Sequence, residues 1–475
     1  MNIFKYLKDM GLNTVPASFY SNIALWESWY NGYVKKVHMY KIYNGKNTVR
    51  KRRLSLQMAK KVCEDMADFL INEKVGITVS QGDDEANATY DYVMNVLNKN
   101  KFFVKGNESQ ERKAATGTVA YVCQIKNMLV NENGDVLSGD VEINYVSAKN
   151  IFPLSWTATE VTECAFLFTK TIQNKTFAVI QMHQLSGSEY VIRNHVVECT
   201  NGSGKELEPT DWDRYPEFAT LVPEIHTGSD KPQFVVDRLN IVNNVTDDDT
   251  CPMGVSLFAN SLDVLEKMDI EYDSYENEFS LGRKRVFVAP EMLSDIDGNP
   301  VFDENDTVFY QLPEDMKSEG KPITELNMDI RGDEHEQAIN GDLKWLSLKI
   351  GFGTERYKFE RGGITTATQV ISEDSDLYRT IKKHELVLDD VLKNLIKIII
   401  RLGVVCGEKG LIEDVNIKID FDDSIIQDKE SEREQDRKDV AMGVMGLDEY
   451  RAKWYNEAPE IAAQNLPVQT EAVIE

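Results

Sequence analysis

Residues 366–402 form the longest uninterrupted helical pattern in the sequence, and this pattern constrains the fold more than any other feature. Apolar side chains recur there at helical spacing, and neither proline nor glycine occurs before Gly403. Thr366 and Gln369 form a capping box that marks the start of the helix. At 1.5 Å per residue the helix spans roughly 55 Å, more than one small domain usually needs. Its predicted apolar stripe consists of Val370, Leu377, Ile381, Leu388, Leu392, Leu395, Ile399 and Leu402.

A glycine-rich segment directly precedes this helix. We predict a mobile loop there, because glycine permits backbone conformations that other residues avoid. The alternative is an ordinary surface loop. The hinge glycines of the predicted loop are Gly351, Gly353, Gly362 and Gly363. The side chains at its centre are those of Arg356, Tyr357, Lys358 and Arg361.

Two helical patterns flank a short β-rich stretch in the middle of the chain. The first, residues 256–281, combines one apolar stripe with seven acidic residues and a single base. The second covers 333–352, and the stretch between them contains three short strand-like segments. Because this insert leaves one helix and returns to the next, its entry and exit must lie close together. The stripe on the first helix is Phe258, Leu262, Leu265, Met268, Tyr272, Tyr275 and Phe279.

The remaining sequence predicts the α+β fold class. Helical patterns dominate residues 21–122, whereas short segments rich in β-forming residues occupy about 119–199, separated by turn signals. A strand is expected at 414–421, followed by two short helices. An antiparallel or mixed sheet with helices packed beside it is the architecture that such an order favours.

Composition and charge exclude several functional classes. The formal net charge of −26 argues against tight wrapping of nucleic acid, which needs many lysines and arginines to replace counterions. No apolar run is long enough for a transmembrane helix, and the N-terminus lacks the features of a signal peptide. The six cysteines are scattered without a C-x-x-C motif. Synthesis in a reducing cytoplasm is therefore expected.

No catalytic or metal-binding motif is complete. "HEQAI" at 335–339 lacks the second histidine of a zinc protease motif. "DIDGNP" at 295–300 resembles a calcium loop but lacks its glycine and distal glutamate, so a hairpin turn is the better interpretation. Gly362 and Gly363 are not followed by the Lys-Ser/Thr of a phosphate-binding loop. We therefore expect neither an enzyme nor a bound cofactor or metal.

Three segments, in this order along the chain, resemble the portal proteins of tailed bacteriophages, in the branch found in long-tailed phages of Gram-positive hosts. They are "IALWESWYNG" at 23–32, "LSLQMAKKVCEDMADFLINEKVGITV" at 54–79 and "FDDSIIQDKESEREQDRKDVAMGVMGLDEYRAKWY" at 421–455. The resemblance extends over nearly the whole chain and includes the helix–insert–helix unit and the loop before the long helix. One departure is Gly446, where the family pattern leads us to expect a serine-type helix cap.

The resemblance implies a portal-type fold with named parts. These are a mixed α/β wing (1–255), a first stem helix (256–282), a small β-containing clip (283–332), a second stem helix (333–350), a tunnel loop (351–365), a long spoke helix and return strand that belong to the wing (366–421), and a helical crown (422–475).

The resemblance also implies a function and partners. Portal proteins of this kind usually form a twelve-subunit ring at one capsid vertex, through which double-stranded DNA passes during packaging and ejection. Expected partners are the large terminase subunit, the head–tail adaptor, the scaffold and the major capsid protein. The location implied is the virion, after synthesis in the bacterial host cytoplasm, with no membrane partner.

Three groups of site residues follow from this resemblance. Acidic residues on the first stem helix are expected to face the channel and repel DNA phosphates, so that the duplex slides without sticking. They are Asp263, Glu266, Asp269, Asp273 and Glu276. The tunnel-loop cations Arg356, Lys358 and Arg361 are expected to contact DNA, with Tyr357 between them. The clip docking residues are Asp295, Asp297, Asn299, Asp303 and Glu304.

Two alternatives from other classes remain open at this stage. One is a head-associated enzyme that uses buried carboxylates, although no motif supports it. The other is a different ring-forming adaptor of the virion, whose chains are usually much shorter than these 475 residues. Each implied residue role also has a simpler explanation. The acids could form an ordinary solvated helix face, and the loop cations could merely pair with Glu355 and Glu360.

Overall fold

Helices and mostly antiparallel sheets occur together in this computed structural model, so the predicted α+β fold class is confirmed. The structure describes residues 2–43, 47–72, 75–81, 84–85, 87–130, 136–200, 203–282, 285–288, 309–311, 323–326, 329–354, 356–357, 367–421, 429–455 and 466. None of its described helices has the length and apolar character needed to cross a bilayer.

The elements are numbered in chain order. The helices are α1 Ile3–Asp9, α2 Ala17–Tyr30, α3 Lys35–His38, α4 Met58–Leu70, α5 Asn87–Lys99, α6 Phe102–Thr116, α7 Leu262–Leu281, α8 Gly332–Ile350, α9 Ala367–Val405, α10 Lys429–Ala441 and α11 Leu447–Tyr455. The strands are β1 Met39–Tyr43, β2 Thr48–Arg52, β3 Gly76–Gln81, β4 Asp84–Glu85, β5 Thr118–Val130, β6 Val136–Ser147, β7 Ile151–Trp156, β8 Val161–Ile172, β9 Lys175–Ser186, β10 Glu189–Thr200, β11 Ser203–Leu207, β12 Glu224–His226, β13 Phe234–Arg238, β14 Arg285–Val288, β15 Phe309–Gln311, β16 Ile323–Leu326 and β17 Asn416–Asp420.

Five sheets organise these strands. The largest runs in the order β11-β10-β9-β8-β7, with β12 also paired to β10. A second sheet, β13-β5-β6, packs against α6 and α9, and a third, β17-β3-β4, joins the end of α9 to the segment after α4. The hairpin β1–β2 forms a separate two-stranded sheet, and β15-β14-β16 forms a three-stranded one.

Helix α9 packs against many elements of the first half of the chain. It packs on β5, β6, β13 and β17 and on α4 and α5. The predicted apolar stripe is confirmed from Leu377 to Leu402, where every member is buried, while the side chain of Val370 and the capping residue Thr366 lie outside the described residues. The helix continues through Gly403 to Val405 instead of ending at 403. A Cβ at Gly403 would lie 2.5 Å from the Tyr92 ring, so glycine lets Tyr92 pack against the helix backbone.

The two helices around the β-rich insert are present and antiparallel, but the first begins later than expected. Residues 256–261 precede α7 because they belong to the buried core of the first half: Phe258 is fully buried, and the Leu257 N–H donates to the Ala114 carbonyl at 2.9 Å. A Cβ on Gly117 would lie 2.3 Å from the Gly254 carbonyl oxygen, so the two glycines allow this close approach. The last residue of the predicted apolar stripe is not buried, since Phe279 is 49% exposed.

The last described helices, α10 and α11, follow β17 close to the expected positions. Helix α11 begins directly after Gly446, whose N–H donates to the Glu449 carboxylate at 3.1 Å. This is the Glu half of a capping box, and glycine cannot provide the side-chain acceptor of the serine-type cap expected at that position. Trp454 donates from Nε1 to Asp436 at 2.8 Å, which ties α11 to α10.

A buried charged network connects α6 to β13. The ammonium group of Lys113 lies 2.9 Å and 3.0 Å from the two Asp237 oxygens, and both side chains are almost completely inaccessible. Gln110 donates to Asp237 at 2.8 Å. Burial lowers the pKa of Lys113, and the attraction of Asp237 opposes that effect. An ion pair in this position holds α6 in one register only as long as both charges are present.

We expect Lys113→Met to lower the free energy of unfolding by about 3–5 kcal/mol, because Asp237 would remain buried without its counterion. Adding Asp237→Leu should recover most of that loss, since the pair would then be replaced by apolar side chains of similar volume. Urea unfolding followed by tryptophan fluorescence measures both variants. A double variant as unstable as the single one would show that the network contributes more than charge compensation.

Candidate functional site

The hairpin β1–β2 is attached to α7 by two carboxylates one helical turn apart. Asp269 lies 2.9 Å from His38 Nε2 and accepts the Leu56 N–H at 2.8 Å. Both His38 and Asp269 are buried. A carboxylate that receives such bonds on both oxygens can be desolvated without a large free-energy cost.

Asp273 continues this attachment on the next turn of α7. Its Oδ1 accepts the Leu54 N–H at 3.0 Å, and its Oδ2 accepts the Tyr40 hydroxyl at 3.0 Å. Burial and the bond to Asp273 together raise the pKa of Tyr40. The neighbouring Lys51 donates to Asn277 at 2.7 Å. The segment from His38 to Leu56 is therefore held along three turns of α7.

These bonds correct part of the prediction for the acidic helix. Asp269 and Asp273 were expected on the solvated side, but both are buried and serve as anchors for the hairpin. Asp263, Glu266 and Glu276 are exposed, as expected for a solvated acidic face. Only these three acids of the predicted set are available to a molecule in solution.

Ion pairs join α7 to α8 along their length. Lys267 lies 2.7 Å from the buried Asp342, and Lys349 lies 3.0 Å from Asp263. Near the insert, Arg331 forms a two-pronged pair with Glu278 at 3.0 Å and 2.9 Å. That pair lowers the pKa of Glu278 to about 2. Because Arg331 precedes α8 and Glu278 ends α7, the insert leaves and re-enters the helix pair at one place, as the sequence predicted.

A groove of about 580 Å³ remains where the hairpin lies on α7. Tyr40 and Ile42 line it from the hairpin, and Ile270 lines it from the helix. Its walls combine these side chains with the anchoring Asp273 and with Arg331. The hairpin therefore contacts the stem through discrete polar bonds more than through close apolar packing.

The first part of the glycine-rich loop is fixed to α4. The ring of Phe352 meets Phe69 edge to face at 5.8 Å, and the Tyr357 hydroxyl donates to Asp65 at 2.6 Å. Burial and the nearby Asp65 raise the pKa of Tyr357. Tyr357 is therefore buried against α4 and does not project from the loop centre, which corrects its predicted placement. Arg356 is exposed, with its guanidinium 5.0 Å from the Phe69 ring centroid.

The hinge glycines and loop cations are only partly within the described residues. Gly351 and Gly353 have φ values of +85° and +77°, a region that favours glycine. Gly351 also ends α8, and the Phe352 N–H bonds back to the Ser347 carbonyl. The remaining predicted loop residues lie outside the described residues: Lys358, Arg361, Gly362 and Gly363. The same holds for the predicted docking residues Asp295, Asp297, Asn299, Asp303 and Glu304.

The hairpin is the main element of the site that our sequence interpretation missed. Residues 46–53 are basic, and our sequence analysis predicted no strand there. A signal was present, because Asn44-Gly45, a strong hairpin dipeptide, separates "MYKIY" from "TVRKR". Its contacts with α7 span more than 200 residues of sequence, so no local pattern indicates them. Within the described residues, no group of three side chains is arranged to hold a metal ion.

Comparison with known proteins identifies a family. A family model described as "Phage portal protein, SPP1 Gp6-like" matches residues 15–455. No curated protein matches the sequence. Among solved structures, the chain is distantly similar to one titled "Neck of native GTA particle computed with C12 symmetry", at 10% identity, covering 83% of this chain and 88% of that chain, with a TM-score of 0.33. A second, "Neck of empty GTA particle computed with C6 symmetry", has 11% identity, coverage of 83% and 89%, and a TM-score of 0.37.

We expect Asp273→Ala to loosen the hairpin, because the Leu54 N–H and the Tyr40 hydroxyl would lose their acceptor at a cost of about 1–3 kcal/mol. Limited digestion with trypsin should then cleave after Lys41 or Arg50 several times faster than in the unchanged protein. Glu276→Ala is the matched control, since it removes an exposed acid from the same helix. Equal cleavage rates in the two variants would contradict the anchoring role of Asp273.

Proposed function

Since the chain belongs to the family of SPP1 Gp6-like phage portal proteins, whose model matches residues 15–455, we propose that its ring at the capsid vertex conducts double-stranded DNA during packaging and ejection. The family is a structural component of the virion, which favours this role over a head-associated enzyme. We further propose twelve subunits, joined by unlike surfaces of neighbouring copies, because such head-to-tail contacts close into rings.

The observation that carries this proposal, beside the family match, is the arrangement of α7, the insert and α8. Two antiparallel helices are joined by ion pairs, and the Arg331–Glu278 pair closes the base of the insert. A small sheet therefore stands at the end of a helical stalk. This arrangement suits a stem that surrounds a channel and a clip that meets other components.

The exposed acids of α7 support a channel that does not retain DNA. We propose that Asp263, Glu266 and Glu276 face the passage, where they repel phosphates and keep the duplex from binding. Asp269 and Asp273 do not take part, because their charges are buried beneath the hairpin. Asp263 also contacts Lys349, so its repulsion is partly offset.

The tunnel loop would provide the few cations that touch passing DNA. We propose this role for Arg356, Lys358 and Arg361, with Gly362 and Gly363 as the hinge at the far end. Within the described part of the loop, Arg356 is exposed next to Tyr357, which is fixed to Asp65. A few scattered cations can steer a duplex and release it, whereas a continuous basic lining would hold it.

The clip would carry the contacts with the packaging motor and the tail. We propose that the large terminase subunit and the head–tail adaptor dock on the segment that contains Asp295, Asp297, Asn299, Asp303 and Glu304, for which the sequence predicts a turn. The scaffold and the major capsid protein would contact the ring from the head side. The acidic side chains on this turn favour partners that present basic surfaces there.

Electron microscopy of the purified protein tests the proposal directly. We expect closed rings with a central hole, because unlike surfaces of neighbouring copies propagate around an axis. Mass measurement of the intact assembly should give about twelve times the mass of one chain. A compact monomer at high protein concentration would contradict the portal function.

The loop proposal is tested by changing Arg356, Lys358 and Arg361 together to glutamine. Packaging should slow, or less packaged DNA should be retained, since the transient phosphate contacts are lost. A packaging assay with DNase protection measures the effect. Lys5→Gln with Lys8→Gln is the control, since both lysines are exposed on α1, which is distant in sequence from the loop. Normal packaging and retention in the triple variant, with rings and heads still forming, would leave the loop as a spacer.

A further inference from the structure

The two flanks of the α7–α8 pair differ. The hairpin contacts α7 at Asp269 and Asp273, whereas α8 contacts it at Lys267 and Glu278. At 100° per residue, these two directions lie roughly 150° apart around the helix. The hairpin, α7 and α8 therefore lie side by side in that order, with the hairpin on one flank and α8 on the other.

The outer face of the hairpin is basic. Residues that pair directly across the two strands share a face. Tyr40 and Lys51 pair and face α7, which they contact. The pair of Lys41 and Arg50 must therefore face away from α7, and Arg52 lies on the same face as this pair. All three of these cations are exposed.

This basic face is energetically unfavourable in a single copy. Lys41 lies directly opposite Arg50, and like charges in that position destabilise a strand pair. Among the described residues, no ion pair involves Lys41, Arg50 or Arg52; Arg52 instead lies over the Tyr33 ring at 4.9 Å. A two-stranded sheet is marginally stable by itself. Such a face indicates an acidic partner that covers it.

The opposite flank, formed by α8, has the complementary character. Ile339, Leu343 and Leu346 are buried, and the reverse side of the helix carries exposed Asp333 and Glu334. One exposed aromatic ring lies further along α8, in nearly the same direction as Glu334: Trp345 is 61% exposed. The two carboxylates of α8 can pair with the cations of the hairpin face. The tryptophan can pack against Arg52 and the Tyr33 ring on which it lies.

These two surfaces lie at the same level along the helices. The Tyr275 ring stacks on His335 at 5.3 Å, so the first turn of α8 is level with the last two turns of α7. The hairpin is attached to the same part of α7, through Asp273 and Asn277. A displacement along the line from hairpin to α8 therefore brings the basic face of one copy to the acidic turn of the next.

We propose that the outer face of the hairpin docks on the first turns of α8 of a second copy of this chain. Lys41 and Arg50 contact Asp333 and Glu334 of that copy, and the Arg52–Tyr33 pair lies against its Trp345. The contact joins unlike surfaces, so each subunit offers one hairpin and receives another. This inference rests on the proposed ring, and it identifies a specific contact that closes it.

The test uses two charge-reversed proteins. One carries Lys41→Glu with Arg50→Glu, and the other carries Asp333→Lys with Glu334→Lys. Each alone places like charges together at every contact, and we expect about tenfold fewer rings at a fixed protein concentration. A one-to-one mixture should restore rings in which the two proteins alternate, because every contact then joins opposite charges. Negative-stain microscopy and native mass spectrometry measure ring number and composition.

The outcomes separate this contact from the proposed function. Lys5→Glu with Lys8→Glu, a reversal of equal size on α1, should leave ring number unchanged. If the unchanged protein and both charge-reversed proteins all form rings in equal number, the hairpin contact is overturned and the portal function stands. Absence of rings from the unchanged protein would overturn both. Loss of duplex-DNA binding by the hairpin variant, with normal rings, would assign the basic face to nucleic acid and reject the docking.

Discussion

Burial of one face of α9 is the constraint on which the rest of the structure depends. The helix contacts two sheets, β13-β5-β6 and β17-β3-β4, and the helices α4 and α5. Leu388, Leu392 and Ile399 are among its buried residues. Its 39 residues span roughly 59 Å, which is far beyond the reach of a single small sheet. Strands from both halves of the chain are paired at its end, where β17 joins β3. The helix therefore gives these sheets a common surface, which α5 shares through β3 and β6.

The elements with a helical period could be predicted from the sequence, and the roles of individual charges could not. The long helix and the stem pair appear near their expected positions because a stripe of apolar residues must be buried. Asp269 and Asp273 lie on the same acidic helix as the exposed Glu266 and Glu276, and all four are carboxylates. Their burial depends on N–H and hydroxyl donors more than 200 residues earlier, which no local pattern reveals.

Tyr357 illustrates the same limit in the loop. An aromatic residue between basic side chains suggested exposure to a passing ligand, yet its ring is buried and its hydroxyl is bonded to Asp65. The partner lies on α4, almost 300 residues away, and was interpreted only as part of a helical pattern. Periodicity predicts which face of a helix is buried, but it does not show which distant segment covers that face.

In the proposed ring, one distribution of charge would serve both the repulsion of DNA and the assembly of subunits. A chain of net charge −26 repels phosphate, but it also repels its own copies when they are brought together. The anchoring of the hairpin addresses both effects at once. Asp269 and Asp273 are buried and accept hydrogen bonds from the hairpin segment. The same bonds fix the hairpin so that Lys41 and Arg50 face away from α7. Cations placed there can offset repulsion between neighbouring copies, while the exposed acids of α7 remain free to repel a duplex.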